Sequence, residues 1–436
     1  MTALAETARG EVRRGWSWSR VAADARSASW LPVALLLVLM VLVVAPVIMV
    51  GITTVRDGGG FGILTVLSST RIIANTLYVS AGSTILAVVI GAALAFVLVR
   101  TNVPGRSLLE RLVIVPLYVT GLLTAIGWSW LGSPRAGFIN IVARNFFGAS
   151  EPIVDLQSPG GVVFVAAMNA VPLPFLLIAG ALRSMDPSLE ESARIQGATI
   201  LGAWRRVTLP LILPAVAASA LLVFVHGMGL FAIPAVLGLP ADFHVAGTEI
   251  YTLLTTFPPR TGRAAAWGFV LLVATALLVW LQAAILGRRS FVTVTGKAFR
   301  PRVIELGGTR HVLAGLVWAY LALAVILPVL ALLWAALINF LTVNLSLMRF
   351  DLGHFRYILF EYPKTYLAVG NSFILGVLSA TAVCLLGLMI GWVLVRSRSR
   401  LKMPLDILGM APIAIPSLTF ALGLLWLYVA MRWLPV

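Results

Sequence analysis

Nine stretches of this chain are apolar over a length that matches the hydrocarbon core of a bilayer. They lie at about 31–54, 72–99, 108–132, 160–182, 209–238, 264–287, 312–340, 369–395 and 404–431. A helix needs ~20 predominantly apolar residues to cross ~30 Å of hydrocarbon. In lipid every backbone polar group must be satisfied internally, which leaves helices and closed barrels. Barrel strands alternate in short segments, and these runs do not alternate. The sequence is therefore that of an all-α polytopic membrane protein with about nine transmembrane helices. Composition agrees: only 11% of the 436 residues are charged and the mean hydropathy is +1.01, against about 25% charged in a soluble chain.

The formal charge of +16 does not point to nucleic acid here, because basic residues collect on the cytoplasmic loops of membrane proteins. With the N-terminus placed in the cytoplasm, the inner segments hold 22 of the 32 Lys and Arg residues. That orientation is favoured over its inverse, and a multi-pass protein of a bacterial-type cytoplasmic membrane is expected. The first ~29 residues are polar and show no small-residue cleavage site, so no cleavable signal peptide is read. Cys384 is the single cysteine and lies in an apolar run, which leaves no thiolate cluster or disulfide framework. His226, His244, His311 and His354 are scattered without metal-ligand spacing. No catalytic or metal constellation is read.

The tetrapeptide Val97-Leu98-Val99-Arg100 recurs as Val393-Leu394-Val395-Arg396, 296 residues later. The same offset aligns Asn75 with Asn371, Gly91 with Gly387, Pro116 with Pro412, Gly127 with Gly423 and Trp130 with Trp426. Over the 56 positions from Asn75 to Trp130, 14 are identical. The copies begin an even number of spans apart, so the two internal repeats run parallel in the membrane. The expected organisation is a cytoplasmic tail plus first span over 1–70, a first repeat domain over 71–287, a basic linker over 288–311, an additional span and outer loop over 312–366, and the start of a second repeat domain over 367–436. By the repeat, the second copy is expected to be incomplete.

Residues 185–210 form a long loop between two spans: Met185-Asp186-Pro187 onward, closing on Val207-Thr208-Leu209-Pro210. Its local chemistry predicts two short helices around a turn. Asp186 can cap the first helix with Pro187 at its first position. Glu190 and Glu191 suit the positive end of its dipole. Gly197 can close it in a left-handed conformation. Arg205 and Arg206 end the second short helix, and Pro210 opens the next span.

Glu191, Ala193 and Gly197, then nine residues, then Val207, Leu209 and Pro210 reproduce the spacing E-A-A, three residues, G, nine residues, I-x-L-P. Ser192 stands where the pattern has Ala, and Val207 where it has Ile. This resembles the signature loop of the inner-membrane permeases of binding-protein-dependent ABC importers. The resemblance implies that the loop docks on a cytoplasmic ABC ATPase subunit. Glu190, Glu191, Ala193 and Gly197 would form the docking helix and turn, and Leu209-Pro210 the anchor to the fifth span. No G-x-x-x-x-G-K-[ST] motif occurs in the chain, so ATP is expected on that partner and no cofactor on this chain. An extracytoplasmic solute-binding protein is the second implied partner. The fusion of two domains and the stretch from Phe231 to Val245 resemble the ferric iron permeases, with thiamine, aminoethylphosphonate and polyamine permeases as relatives.

The only acidic residues read within the nine spans are Glu110 and Asp406, a repeat-matched pair at span ends. Intramembrane carboxylates mark ion-coupled carriers, so that class is disfavoured, as is a membrane enzyme. Asn169, His226, Gln282 and Asn339 are polar residues within spans. Of these, Asn169 and His226 are the candidates for the pathway, His226 because Gly227 and Gly229 allow the helix to break there. The stretch Phe138–Phe147 is too short to span and is expected to lie at the interface.

Overall fold

The computed structural model describes residues 30–58, 61–286, 303–338, 349–397 and 399–431. The N-terminal tail, most of the linker and Asn339 lie outside them. The described residues are helical, with two isolated bridges and no strand. Among the described residues, by length and composition, six helices can cross a membrane, or up to nine if each bent pair is one span.

The helices relevant here are α1 (Trp30–Arg56), α2 (Phe61–Leu67), α3 (Thr70–Arg100), α4 (Arg106–Tyr118), α5 (Gly121–Gly132) and α6 (Phe138–Phe147). Next come α7 (Pro159–Ala170), α8 (Pro172–Ser184), α9 (Pro187–Ile195), α10 (Trp204–Met228), α11 (Ala246–Thr255) and α12 (Thr261–Leu286). The last are α13 (Thr309–Leu337), α14 (Thr365–Arg396), α15 (Lys402–Ala414) and α16 (Ser417–Ala430).

Prolines shape these helices in a regular way. Five-residue π-turns at Met40–Val44, Trp204–Thr208 and Ala322–Ile326 each end two residues before a proline: Pro46, Pro210 and Pro328. Proline has no N–H, and its ring collides with the carbonyl four residues back. Widening the turn by one residue relieves the collision and keeps the chain helical. The same physics divides three of the expected spans into helix pairs. The third span, read as 108–132, breaks by 95° between α4 and α5. Pro116 tightens the end of α4 into a 3-10 turn, and the Thr120 hydroxyl then caps α5 by accepting from Leu123 N at 3.4 Å. The fourth, read as 160–182, bends by 42° where Pro172 and Pro174 enter. The ninth is interrupted at the matching place, between α15 and α16. The fifth, read to 238, ends at Met228, and Pro234–Gly238 forms a separate π-turn. The stretch Phe138–Phe147, expected to be too short to span, forms the helix α6.

The chain divides into two compact units. The larger, residues 50–362 with 414–422, is built around α3. Small residues let its backbone meet its neighbours. A Cβ added at Gly91 would lie 3.0 Å from Phe175 N, and one at Gly82 would lie 2.9 Å from Val163 Cγ1. Buried Thr76, Ser80 and Thr84 return their hydroxyls to carbonyls one turn back, at 2.7, 2.7 and 2.6 Å, so none of these three hydroxyls is stranded. Val317, Tyr320, Leu321 and Ala324 of α13 join α3 and α8 in one apolar core. A Cβ at Gly127 of α5 would sit 2.5 Å from the Pro328 carbonyl oxygen. In the smaller unit the first turns of α1 pack on α14, and Gly423 faces the Pro46 carbonyl. The repeat-matched glycines 127 and 423 therefore each face a proline carbonyl just after a π-turn, one in each unit.

Candidate coupling site

The loop 185–210 begins as its sequence dictates. Asp186 Oδ1 accepts from Ser188 N at 2.9 Å, capping α9 with Pro187 in its first position. At the other end Ala198 N donates to Ala193 O at 3.0 Å while Gly197 takes φ +88°. That is a left-handed glycine closure. A Cβ at Gly197 would meet nothing within 4 Å, so the backbone angle, not crowding, asks for glycine.

The second short helix is not a separate element, contrary to expectation. Thr199 Oγ1 accepts from Gly202 N at 3.1 Å and starts a helix at Ile200. That helix continues through the π-turn at Trp204–Thr208 into α10. The π-turn accommodates Pro210 without a break, so the part of the loop after the Gly197 turn is a rigid extension of a membrane helix. Leu209 packs against the main core, Val207 is half-buried and Pro210 is exposed.

Glu190 ties the loop down. Its Oε1 accepts from Arg100 Nη2 at 2.8 Å and from Thr208 Oγ1 at 2.5 Å. Arg100, the last residue of α3, is only 2% exposed. Its guanidinium stays charged, and burying it costs several kcal/mol unless a carboxylate answers it. Met185 Sδ lies 3.8 Å away, while Nε and Nη1 have no hydrogen-bond partner among the described residues. A second ion pair, Arg183 Nη2 to Glu110 Oε2 at 2.6 Å, joins α8 to α4 beside it. Phe96 meets Trp204 edge-on, with centroids 6.3 Å apart. One carboxylate thus links α3, α9 and the entry to α10. Sequence reasoning missed Arg100 and Thr208. The signal was present, since Arg100 closes the repeated tetrapeptide, but its charge was accounted for by membrane topology.

The outward face of the loop has a different character. Ser192, Gln196, Gly197, Arg205 and Arg206 are exposed, and Ala193 is half-buried. Ile195 is 87% exposed on this otherwise polar surface. Glu191 lies in α9 with its side chain outside the described set, as does that of Gln282.

The two pathway candidates sit at helix breaks. Asn169 Nδ2 donates to the Val119 carbonyl at 3.4 Å, at the bend between α4 and α5. His226 lies in the last turn of α10, and its neighbour Gly227 packs on Ser80. The segment after α10 touches both repeat-related breaks. A Cβ at Gly121 would lie 3.6 Å from Ile233, and one at Gly229 would lie 2.9 Å from Pro416. At the opposite end of α3, Arg71, Asn75, Asp242, His244 and Glu249 line a cavity of about 330 Å³. Asn75 Nδ2 donates there to the His244 carbonyl at 2.8 Å. Among the described residues no three His, Cys, Asp or Glu side chains are grouped to hold a metal.

A helical bundle of this kind defines a multi-pass membrane protein. A family model described as "Binding-protein-dependent transport system inner membrane component" matches residues 87–291. The molybdenum transport system permease protein of Escherichia coli K12 is 32% identical over 195 residues, 43% of this chain and 81% of that protein. The chain belongs to the inner-membrane components of binding-protein-dependent transport systems. A putative ferric transport system permease protein of Haemophilus influenzae is 27% identical over 398 residues, 88% of this chain. A ferric transport system permease protein of Actinobacillus pleuropneumoniae is 26% identical over 397 residues. The chain spans 61% and 56% of the lengths of these two relatives. The crystal structure of a bacterial ABC transporter that imports alginate shares the fold, with TM-score 0.51 at 22% identity over 62% of this chain and 99% of that one.

Proposed function

We propose that this chain is a membrane-spanning part of an ATP-driven importer whose cargo is ferric iron. A separate ATPase subunit hydrolyses ATP and grips the outward face of α9. An extracytoplasmic receptor delivers the cargo at the other end of the bundle, and the N-terminus faces the cytoplasm. The observation that carries this reading is the anchored loop: a capped helix with an exposed face, closed by Gly197 and fixed through Glu190 to two membrane helices. Such a loop can pass on a push as a rigid lever. The cargo rests on the ferric transport relatives. Among the described residues, the acidic side chains within spans are Glu110, paired with Arg183, and Asp406. An ion-coupled carrier would place carboxylates deeper, and iron would pass through without a resident cage.

Gly197→Asp tests the docking. At φ +88° aspartate strains the turn, although it tolerates the left-handed region better than most residues, and it adds charge and bulk to the gripped face. The variant is expected to insert at normal levels and to lower ATP-dependent uptake of radioactive ferric iron into membrane vesicles by about tenfold or more. Uptake equal to the unmodified chain would exclude this loop as the docking element.

A further inference from the structure

The linker is joined to the coupling site by its backbone. Arg100 uses its side chain to hold Glu190 and its carbonyl to accept from Ile304 N at 2.8 Å. Asn102 N donates back to the Ile304 carbonyl at 3.3 Å, and Asn102 Oδ1 accepts from Leu306 N at 3.1 Å. Thr101 and Ile304 thereby form an isolated parallel bridge. Thr101 and Val103 are 1% and 3% exposed, so the bridge rests on a buried floor. From there the chain leads directly into α13: Thr309 Oγ1 donates to the Leu306 carbonyl at 2.7 Å, with only Gly307 and Gly308 between them.

A passive tether between two halves has no reason for such contacts. A flexible linker keeps its backbone solvated, whereas here three backbone N–H groups and one side-chain amide oxygen are spent on a single joint. α13 is also seated against two bent pairs, on α5 through Pro328 at Gly127 and on α7 through the Tyr320 hydroxyl donating to the Met168 carbonyl at 3.5 Å.

We propose that the joint between residues 100–102 and 304–306 is a mechanical clip through which the coupling loop drives α13, with Asn102 as its positioning residue. Displacement of α9 pulls Glu190 and therefore Arg100. Arg100 carries Ile304, and the short connection carries the start of α13. One stroke on this loop thus reaches the bent pairs α4–α5 and α7–α8 from two sides, through α3 and through α13. The inference rests on the coupling reading of the loop given above.

The test uses the full chain in its complex with the ATPase, carrying Cys384→Ser so that spin labels attach only at introduced cysteines. Labels go on Ile85 of α3, Leu277 of α12 and Leu333 of α13, which are 66%, 60% and 46% exposed. Pulsed electron resonance reads the distances from Leu277 to the other two, with and without ATP and magnesium. Both distances are expected to shift on ATP binding in the otherwise unmodified chain. Ile304→Pro removes the N–H that Arg100 accepts. It is expected to abolish the α13 shift while the α3 shift remains. An α13 shift that survives Ile304→Pro overturns the clip. If Ile304→Pro abolishes both shifts, a disulfide between Asn102→Cys and Leu306→Cys is added. Recovery of the α13 shift on oxidation supports the clip, and failure to recover it overturns the clip. If neither distance responds to ATP before Ile304 is changed, the coupling reading itself falls and the clip with it.

Discussion

α3 and α14 are written from one template and sit in different surroundings. Both end in Val-Leu-Val-Arg, and both carry a glycine at the repeat-matched position, Gly91 or Gly387. In α3, 44% of the most apolar window is buried, and in α14 none of it is. Gly91 lies against the backbone of α8, while a Cβ at Gly387 would meet nothing within 4 Å. Arg100 is buried and paired with Glu190, while Arg396 is exposed. The shared residues are therefore instructions for contacts. Their energetic weight depends on whether α7, α8 and a loop carboxylate are there to meet them.

Paired substitutions can break this comparison, and the charges give the largest effect. Glu190→Leu leaves the buried Arg100 guanidinium without its carboxylate, which is expected to cost about 3 kcal/mol. Arg396→Leu, at an exposed helix end, is expected to stay within about 0.5 kcal/mol. Reversible unfolding in mixed detergent micelles measures both, and equal losses would deny Arg100 its special standing. The glycines give a smaller difference. Gly91→Ala forces a methyl to within 3.0 Å of a neighbouring backbone nitrogen and is expected to destabilise by about 1–3 kcal/mol. Gly387→Ala enters open space and is expected to be neutral or to stabilise by up to about 1 kcal/mol, as glycine is poor in a helix interior. A cost at Gly387 equal to that at Gly91 would show that the glycines act through helix propensity alone.

The spans were legible in the sequence because apolar length is a strong and local signal. The bends were not, since a break at Val119 or Val171 leaves the hydropathy of the run unchanged. Prolines marked the sites, but proline alone does not separate a π-turn, as before Pro210, from a 95° bend, as after Pro116. The likeness of the first and seventh spans also escaped. Pro46 and Pro328 stand 282 residues apart, so an ungapped comparison at 296 misses them. In the loop, the cap at Asp186 and the turn at Gly197 followed from local chemistry and are found as expected. The partner of Glu190 did not, because Arg100 lies 90 positions away in the chain and only the packing of α3 brings it near.

The central claim is that the outward face of α9 is where a separate ATPase takes hold. Ile195, 87% exposed on that face, can be changed to cysteine in a chain carrying Cys384→Ser and fitted with a short photoactivatable cross-linker. Illumination of membranes that contain the whole transporter is expected to join this position to an ATP-binding polypeptide, identified by mass spectrometry, and nucleotide should alter the yield. Active uptake with no cross-link from Ile195, while a control position on another loop captures that same polypeptide, would contradict the account.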